Sequence, residues 1–370
     1  MLIEVSIGEA IDKYSILEIK AGRITDEVAL GHIRTEFNAL AVCRPILEKH
    51  WDLYRMLIYV NNEIWDMTNA IKILSPIWEP IKYAKLAGRV FEYNQLRFRI
   101  KQILNTMTGS PIKEQKSYAA EKCVIGPVPL HKLAELGYLA LSYDLVVISG
   151  TSCVGIPAWM THRVKFDPSL TPAIDILQYK LPDDVPRDVF EPLPITYISG
   201  GLLGDFIHQL SVIHQYYLTT GRKGILYMAN IGDEFRMGLQ KTFEDTETFV
   251  KELPYIHTYK IHENEPAEVN LSSWRQQVFK NNNWHNIFNT VYHVNWGSQP
   301  WITADAVDPA WTSKIVINTV PHRFAKHVDF QTLSREVGGD RLVFIAFSQG
   351  DYDDFIAKTQ LTHVPFHKLS

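Results

Sequence analysis

Three glycines and an aspartate lie between a run of β-forming residues and an amphipathic helix. Gly200, Gly201 and Gly204 follow the apolar run 195–199, and Asp205 opens a helix whose apolar residues recur at helical spacing over 206–217. Glycine tolerates positive φ and leaves room for a ligand beside the free N–H groups of a helix N-terminus. The pattern therefore predicts a strand, a ligand-binding turn and a helix that packs back on the sheet.

Asp205 has two interpretations that the sequence leaves open. A carboxylate at the start of this helix can act as a general base. Aspartate is also a common capping residue, and the helix dipole favours its anionic form there. His208 lies one turn further along, where it can contact a ligand or Asp205, or pack at the edge of the sheet. Both residues are candidate catalytic groups.

The elements around this turn divide the chain into four segments. Helical periodicity and a Ser6-x-x-Glu9 capping box predict a helical hairpin or small bundle over residues 1–118, with one helix from about Pro80 to Met107. Strand and helix patterns predict a small α/β segment over 119–190, which ends in a proline-rich stretch. Residues 191–310 and 311–370 then read as one Rossmann-like lobe and the start of a second. The expected fold class is α/β, preceded by an all-α domain.

Composition argues against several functional classes. The formal net charge of -4 gives no reason to expect nucleic acid as the main partner. The three cysteines lie far apart in the sequence, so we predict neither a disulfide framework nor a zinc site, and we expect a cytoplasmic protein. We also expect no signal peptide, because the N-terminus lacks the pattern, and no membrane span. No acidic motif lies at the end of a strand in the manner of a metal-binding loop, so no metal or other cofactor is predicted.

Five tryptophans lie between residues 274 and 311. Tryptophan can stack on a sugar or a base, but clusters of aromatic residues more often fill hydrophobic cores. We therefore expect at least three of the five to belong to a core. The acidic run 244–247 is typical of a helix N-terminus.

The segment SGGLLGDFIHQLSVI resembles the first lobe of heptosyltransferase-like glycosyltransferases of the GT-B class, in which Gly-Asp opens a helix that carries His three residues later. Gly204, Asp205 and His208 match this pattern. The segment INTVPHRFAKHVDFQTLSREV is similar to the opening of the second lobe of that family, with matches at Thr319, Arg323 and Lys326. The resemblance implies a metal-independent and inverting transferase, with Asp205 as base and the basic residues on the phosphates of a nucleotide-sugar donor.

The resemblance also leaves a part of the expected fold unaccounted for. After Thr319 only about fifty residues remain, whereas the second lobe of the family continues into a Ser, Thr and Gly turn that cradles the donor phosphates. The segment around Thr151 and Ser152 resembles this missing turn. One hypothesis is therefore a permuted order, in which residues 119–165 complete the second lobe; the other is a truncated relative.

Two functions follow as hypotheses. The first is a glycosyltransferase that moves a sugar from a nucleotide-diphosphate donor to an unknown acceptor such as a glycan, a lipid-linked sugar or a protein. The second is a non-catalytic, glycosyltransferase-like scaffold, whose helical domain binds a protein partner or a second copy of the chain. The segments 4–24 and 94–118 resemble an uncharacterised helical domain that is sometimes found beside glycosyltransferases. This second resemblance implies no particular reaction or catalytic residue.

Overall fold

The structure of the chain is a computed structural model in two compact units, residues 1–301 and 302–370. It describes residues 4–113, 120–151, 155–231, 235–277, 283–296, 299–302, 311–318, 328–346 and 348–368.

The first unit opens with helices that pack side by side, as the sequence predicts. Ser6 caps the first helix, because its Oγ accepts a hydrogen bond of 3.1 Å from the Glu9 N–H. The helix predicted from Pro80 to Met107 has those bounds. The first helix packs against both long helices. The helices are α1 (Ile7–Arg23), α2 (Glu27–Ala39), α3 (Arg44–Lys49), α4 (Trp51–Ile73) and α5 (Pro80–Met107).

A buried polar network fixes the relative position of three of these helices. Asp12 of α1 is 1% exposed. Its carboxylate accepts hydrogen bonds from Arg97 Nε of α5 at 2.8 Å and from Asn61 Nδ2 of α4 at 2.9 Å. A buried carboxylate is tolerated only when it is paired and hydrogen-bonded. The three helices therefore have one register in which this charge is satisfied.

A small parallel sheet follows the helices and shares their hydrophobic core. Its strand order is β1-β2-β3. Cys123, Ile125 and Val146 pack in the same buried cluster as Leu57 and Ile100 of the helices. The elements are β1 (Lys122–Ile125), α6 (Leu133–Ser142), β2 (Leu145–Ile148), β3 (Val164–Phe166) and α7 (Arg187–Phe190).

This pairing differs from the permuted order that the sequence suggested. Strands β1, β2 and β3 pair with one another, and the strands described after residue 311 pair among themselves. The two sets share no strand pair within the described ranges, so residues 119–165 do not complete the later sheet there. The physical reason is the core: the inner faces of β1 and β2 are buried against α5 and α6 of the first unit.

The rest of the first unit is a Rossmann-like arrangement with a four-stranded parallel sheet. The strand order is β6-β5-β4-β7, so the first strand in the sequence has the second strand on one side and the last on the other. The elements are β4 (Ile195–Ser199), α8 (Leu203–Thr220), β5 (Gly224–Met228), α9 (Leu239–Lys251), β6 (Ile256–Ile261), β7 (Val269–Asn270) and α10 (Trp284–Tyr292). The acidic run 244–247 lies within α9, so the prediction that it marks a helix N-terminus is wrong; Gly238, with φ 81°, directly precedes that helix.

The second unit is a smaller parallel sheet with helices between its strands. Its order is β10-β9-β8, and Phe344, Phe355 and Val364 are fully buried in its core. Its alternation of strands and helices agrees with the α/β character predicted for residues 311–370. The elements are β8 (Ile315–Ile317), α11 (Phe330–Val337), β9 (Leu342–Ala346), α12 (Gln349–Thr359) and β10 (Phe366–Lys368).

Candidate functional site

The candidate site lies where strands β4 and β7 end side by side. The two strands pair in parallel, with Ile198 opposite Asn270. The backbone N–H of Leu271 continues the pairing to the Ile198 carbonyl at 2.8 Å. The strands that follow β4 in the sequence lie on one side of it (β5, β6) and then on the other (β7), which makes this edge of β4 the topological switch point of the sheet. Open parallel sheets bind ligands at this position, beyond the carboxyl ends of the strands.

The glycines of the turn permit a close approach of backbone and side chain. A Cβ on Gly200 would overlap the Ala229 carbonyl oxygen and lie 2.8 Å from the Ile231 nitrogen. Gly201 has φ 102°, and a Cβ there would lie 2.8 Å from the guanidinium carbon of Arg275. Gly204, in the first turn of α8, is exposed and open on all sides. Two of the three predicted glycines are therefore required by packing, and the third leaves open space at the helix N-terminus.

Asp205 forms an ion pair with Arg275 across the switch point. Arg275 Nη2 donates to Asp205 Oδ2, and the two side chains are 17% and 18% exposed. The N–H of Leu202 donates to the same Oδ2 at 3.3 Å. Both hydrogen bonds of the carboxylate thus fall on one oxygen. Asp205 caps its own helix, as one of the two sequence interpretations predicts, and it is also oriented by a second element.

Arg275 itself is fixed from two sides. Its guanidinium carbon lies 4.4 Å from the centroid of the Trp274 ring, a distance typical of a cation–π contact. The backbone of Gly201 lies against the same guanidinium. Its Nη1 is buried and takes no hydrogen-bond partner in the part of the chain that the structure describes. No sequence pattern points to Arg275, because β7 has only two residues and gives no periodic signal.

A second layer of buried polar residues fixes the turn. Gln209 of α8 is fully buried and donates to the Gly200 carbonyl at 3.2 Å, while it accepts from Ser199 Oγ. Ser272 Oγ donates to the same carbonyl at 3.3 Å. The Gly200 carbonyl is therefore satisfied by residues from both α8 and the segment after β7, and the turn is held in one conformation.

His208 lies among tryptophan side chains. Its ring stacks on Trp284 with centroids 4.8 Å apart, and Trp296 and Trp301 lie at 5.6 Å and 6.1 Å. Burial lowers the pKa of this imidazole, and the charge of Asp205 opposes that shift. Its Nδ1 is buried with no hydrogen-bond partner among the described residues. The carboxylate of Asp205 accepts hydrogen bonds from Arg275 and Leu202, and none from His208 among the described residues; of the alternatives for His208, the structure shows the packed one.

The tryptophan prediction is confirmed. Trp274, Trp284, Trp296 and Trp301 pack against the buried cluster of the Rossmann-like sheet. Two of them are tied to the helix of the candidate site, because Trp301 Nε1 donates to the Ile207 carbonyl at 3.0 Å and Trp296 Nε1 to the His208 carbonyl at 3.4 Å. These rings support α8 from behind the turn.

Of the remaining predicted site residues, the structure describes one. Thr151 is exposed, in the segment after β2. Ser152, Thr319, Arg323 and Lys326 lie outside the described residues. Gly200, Gly201 and Gly204 are predicted, with these residues, to bind the donor or its phosphates, and Asp205 and His208 to be catalytic; all of these roles stay predictions.

Within the described ranges, no group of three or more His, Cys, Asp or Glu side chains is arranged to bind a metal ion. In those ranges no helix combines the length and apolar character needed to cross a bilayer.

Comparison of the chain with models of protein families, with curated proteins and with solved structures found no match.

Proposed function

We propose that the chain transfers a sugar from a nucleotide-diphosphate donor to an acceptor hydroxyl, and that the acceptor binds at the turn 200–205. In this reaction Asp205 takes the proton of the acceptor hydroxyl while the acceptor oxygen attacks the anomeric carbon of the sugar. The bond from that carbon to the phosphate oxygen breaks, and the nucleoside diphosphate leaves with its electron pair. The anomeric configuration inverts in a single displacement.

One observation supports this role for Asp205 above all. Its two hydrogen bonds, from Arg275 and from the Leu202 N–H, both fall on Oδ2. Oδ1 takes no hydrogen bond from the described residues, and the side chain is partly exposed at the switch point. A general base needs a fixed orientation and one accepting oxygen within reach of the acceptor. Asp205 meets both requirements at the position where open α/β sheets bind ligands.

The donor side of the proposal rests on the resemblance alone. Arg323 and Lys326 would neutralise the diphosphate as it leaves, since guanidinium and ammonium groups form charge-assisted hydrogen bonds with phosphate oxygens. Thr319, Thr151 and Ser152 are the further candidates for phosphate contacts. No metal is needed where cations of the chain supply this charge.

The second candidate is a non-catalytic scaffold, and the same ion pair is the observation in its favour. The carboxylate of Asp205 is engaged by the Arg275 guanidinium and by the Leu202 N–H, both of which hold it in place as part of the turn. A carboxylate that caps a helix and pairs with an arginine also occurs in turns that have only a structural role.

A donor screen followed by an isosteric substitution tests the proposal. Purified chain is screened by thermal shift against nucleoside diphosphates and nucleotide sugars, and release of nucleoside diphosphate is then measured with each sugar that binds. Asp205→Asn keeps the shape of the side chain and removes the base, so donor binding is retained and turnover falls about 100- to 10,000-fold.

The matched control is Asp245→Asn, which removes an exposed carboxylate that pairs with Lys241 on α9. Turnover of this variant stays within about twofold, since exposed helix pairs contribute little. If no nucleotide or nucleotide sugar stabilises the chain, or if Asp205→Asn turns over at the normal rate, the proposed reaction is wrong and the non-catalytic scaffold is favoured.

A further inference from the structure

The tip of the long helical hairpin exposes a cluster of large apolar side chains. Ile73, Ile77, Trp78 and Ile81 are between 79% and 87% exposed, and all four lie within nine residues of the chain. They occupy the end of α4, the connection to α5 and the start of α5. Single exposed apolar residues are ordinary, but a contiguous exposed cluster of this kind marks an interaction surface.

The hairpin carries this apolar tip away from the core of the first unit. The last buried residue of α4 is Met67, and the first buried residue of α5 is Tyr93. At a rise of about 1.5 Å per residue, the two helices continue past these positions by about 9 Å and about 20 Å. The apolar tip is therefore a convex end of two helices and not the wall of a groove.

The charge around the tip has one predominant sign. Lys72, Lys82 and Lys85 are exposed, and Glu79 is the one acidic residue in the stretch 72–85. Glu79 lies 3.5 Å from Lys82 in an exposed pair, which leaves a net positive tip. Apolar side chains with a tryptophan, flanked by lysines, are the composition of segments that lie in the interface of an anionic bilayer.

We propose that the hairpin tip, residues 73–81, inserts into the interface of a membrane that contains anionic lipids. Trp78 and the three isoleucines enter the boundary between headgroups and acyl chains, and the neighbouring lysines contact the lipid phosphates. Fluid lipid adapts to a convex surface, whereas a protein partner would need a matching concave site. The charge complementarity is with an anionic lipid surface, to which each nearby lysine adds attraction. This inference is independent of the proposed transferase reaction.

Vesicle co-sedimentation of the full chain tests the inference. Vesicles of phosphatidylcholine with phosphatidylserine are compared with vesicles of phosphatidylcholine alone, at low and at high salt. We expect binding to the anionic vesicles only, with weaker binding at high salt because the lysine contribution is screened. The double variant Ile77→Ser with Trp78→Ser binds about tenfold more weakly, since the apolar contribution to interfacial binding is lost.

The matched control is the double variant Val28→Ser with Val42→Ser, two residues outside the segment 73–81 that are 71% and 78% exposed. Its binding stays within about twofold of the unaltered chain, because interfacial binding depends on the apolar area that is inserted. Ile81→Ser gives a second, smaller change at the tip if the double tip variant does not fold.

The inference is overturned if the unaltered chain fails to bind anionic vesicles, or if the tip variants bind them as well as it does. Sedimentation velocity distinguishes another occupant: if the chain self-associates and the tip variant does not, a second copy covers the tip and the lipid proposal is wrong.

Discussion

Asp205 and Arg275 are 70 residues apart in the sequence, yet their side chains form an ion pair across the carboxyl ends of two neighbouring strands. Each residue follows a different strand, β4 or β7, and the pairing of those strands brings them together. The pair fixes the carboxylate through Oδ2 and joins the helix of the turn to the segment after β7. The geometry of the candidate site therefore depends on a contact between two residues that are distant in the sequence.

The glycine turn gives the first prediction. Gly201→Ala will lower the free energy of unfolding by about 1–3 kcal/mol, because alanine is strained at positive φ and its Cβ would displace Arg275. Urea unfolding measures the change. Gly204→Ala is the control: its Cβ meets no neighbour within 4 Å, and alanine in a helix stabilises by up to about 1 kcal/mol relative to glycine. Equal effects of the two substitutions would contradict the geometry of the turn.

Removal of the guanidinium gives the second prediction. Arg275→Ala leaves the partly buried carboxylate of Asp205 with the Leu202 N–H alone, and we expect a loss of about 1–3 kcal/mol in stability. Arg275→Lys keeps the charge but loses the planar contact with Trp274, so its effect lies between those of alanine and arginine.

Lys251→Ala serves as the control for this second prediction. It removes a pair with Glu247 in which the two side chains are 54% and 39% exposed, and such pairs contribute at most about 1 kcal/mol. An Arg275→Ala variant no less stable than the control would show that the ion pair does not hold the turn.

Two partly buried histidines give a prediction for pH. Burial lowers the folded-state pKa of His208 and of His214 below the ordinary value of 6.5. As the pH falls below 6.5, the unfolded chain therefore binds more protons at these histidines than the folded chain does. The contribution of these histidines to the free energy of unfolding is fully present above the pKa of the unfolded chain. It decreases as the pH falls below 6.5, and it is lost by the time the pH has passed below the lower pKa of the folded chain.

Urea unfolding at pH 7.5 and at pH 5.5, compared with that of a His208→Phe variant, measures this effect. Phenylalanine keeps the aromatic packing on Trp284 and cannot be protonated, so the variant loses less stability between the two pH values. His214 retains its own contribution, so the loss is reduced and not abolished. The substitution of exposed His32 by phenylalanine is the control; a variant at position 208 with the pH dependence of this control would contradict the assignment.

The buried network of α1, α4 and α5 gives a fourth prediction. Asp12→Ala removes a carboxylate that is 1% exposed, together with its hydrogen bonds from Arg97 and Asn61, and we expect a loss of about 1–3 kcal/mol in stability. Lys13→Ala, one residue away, removes a pair with Glu36 whose side chains are 59% and 53% exposed, and this change costs at most about 1 kcal/mol. Thermal unfolding distinguishes them, and similar midpoints for the two variants would show that the network does not fix the bundle.

Local patterns were sufficient to predict most elements of the fold. The Ser6 cap, the bounds of α5 and the strand-turn-helix at 195–220 follow from hydrophobic spacing and from residues with strong local preferences. The tryptophan core follows from composition, because large aromatic side chains gain most from burial. The start of α9 was misplaced, since acidic residues favour a helix N-terminus without being restricted to it.

The sequence by itself determined the glycine turn and the candidate role of Asp205, because both depend on residues within a few positions of each other. The tertiary structure alone decided that Arg275 is the partner of Asp205, that His208 packs among tryptophans, and that residues 122–166 share a core with helices α1, α4 and α5. Each of these contacts depends on which strands pair and which helix faces pack together, between segments that are distant in the sequence. Parallel strands of similar apolar composition have no local signal that specifies their neighbours, so their order is fixed by packing of the whole unit.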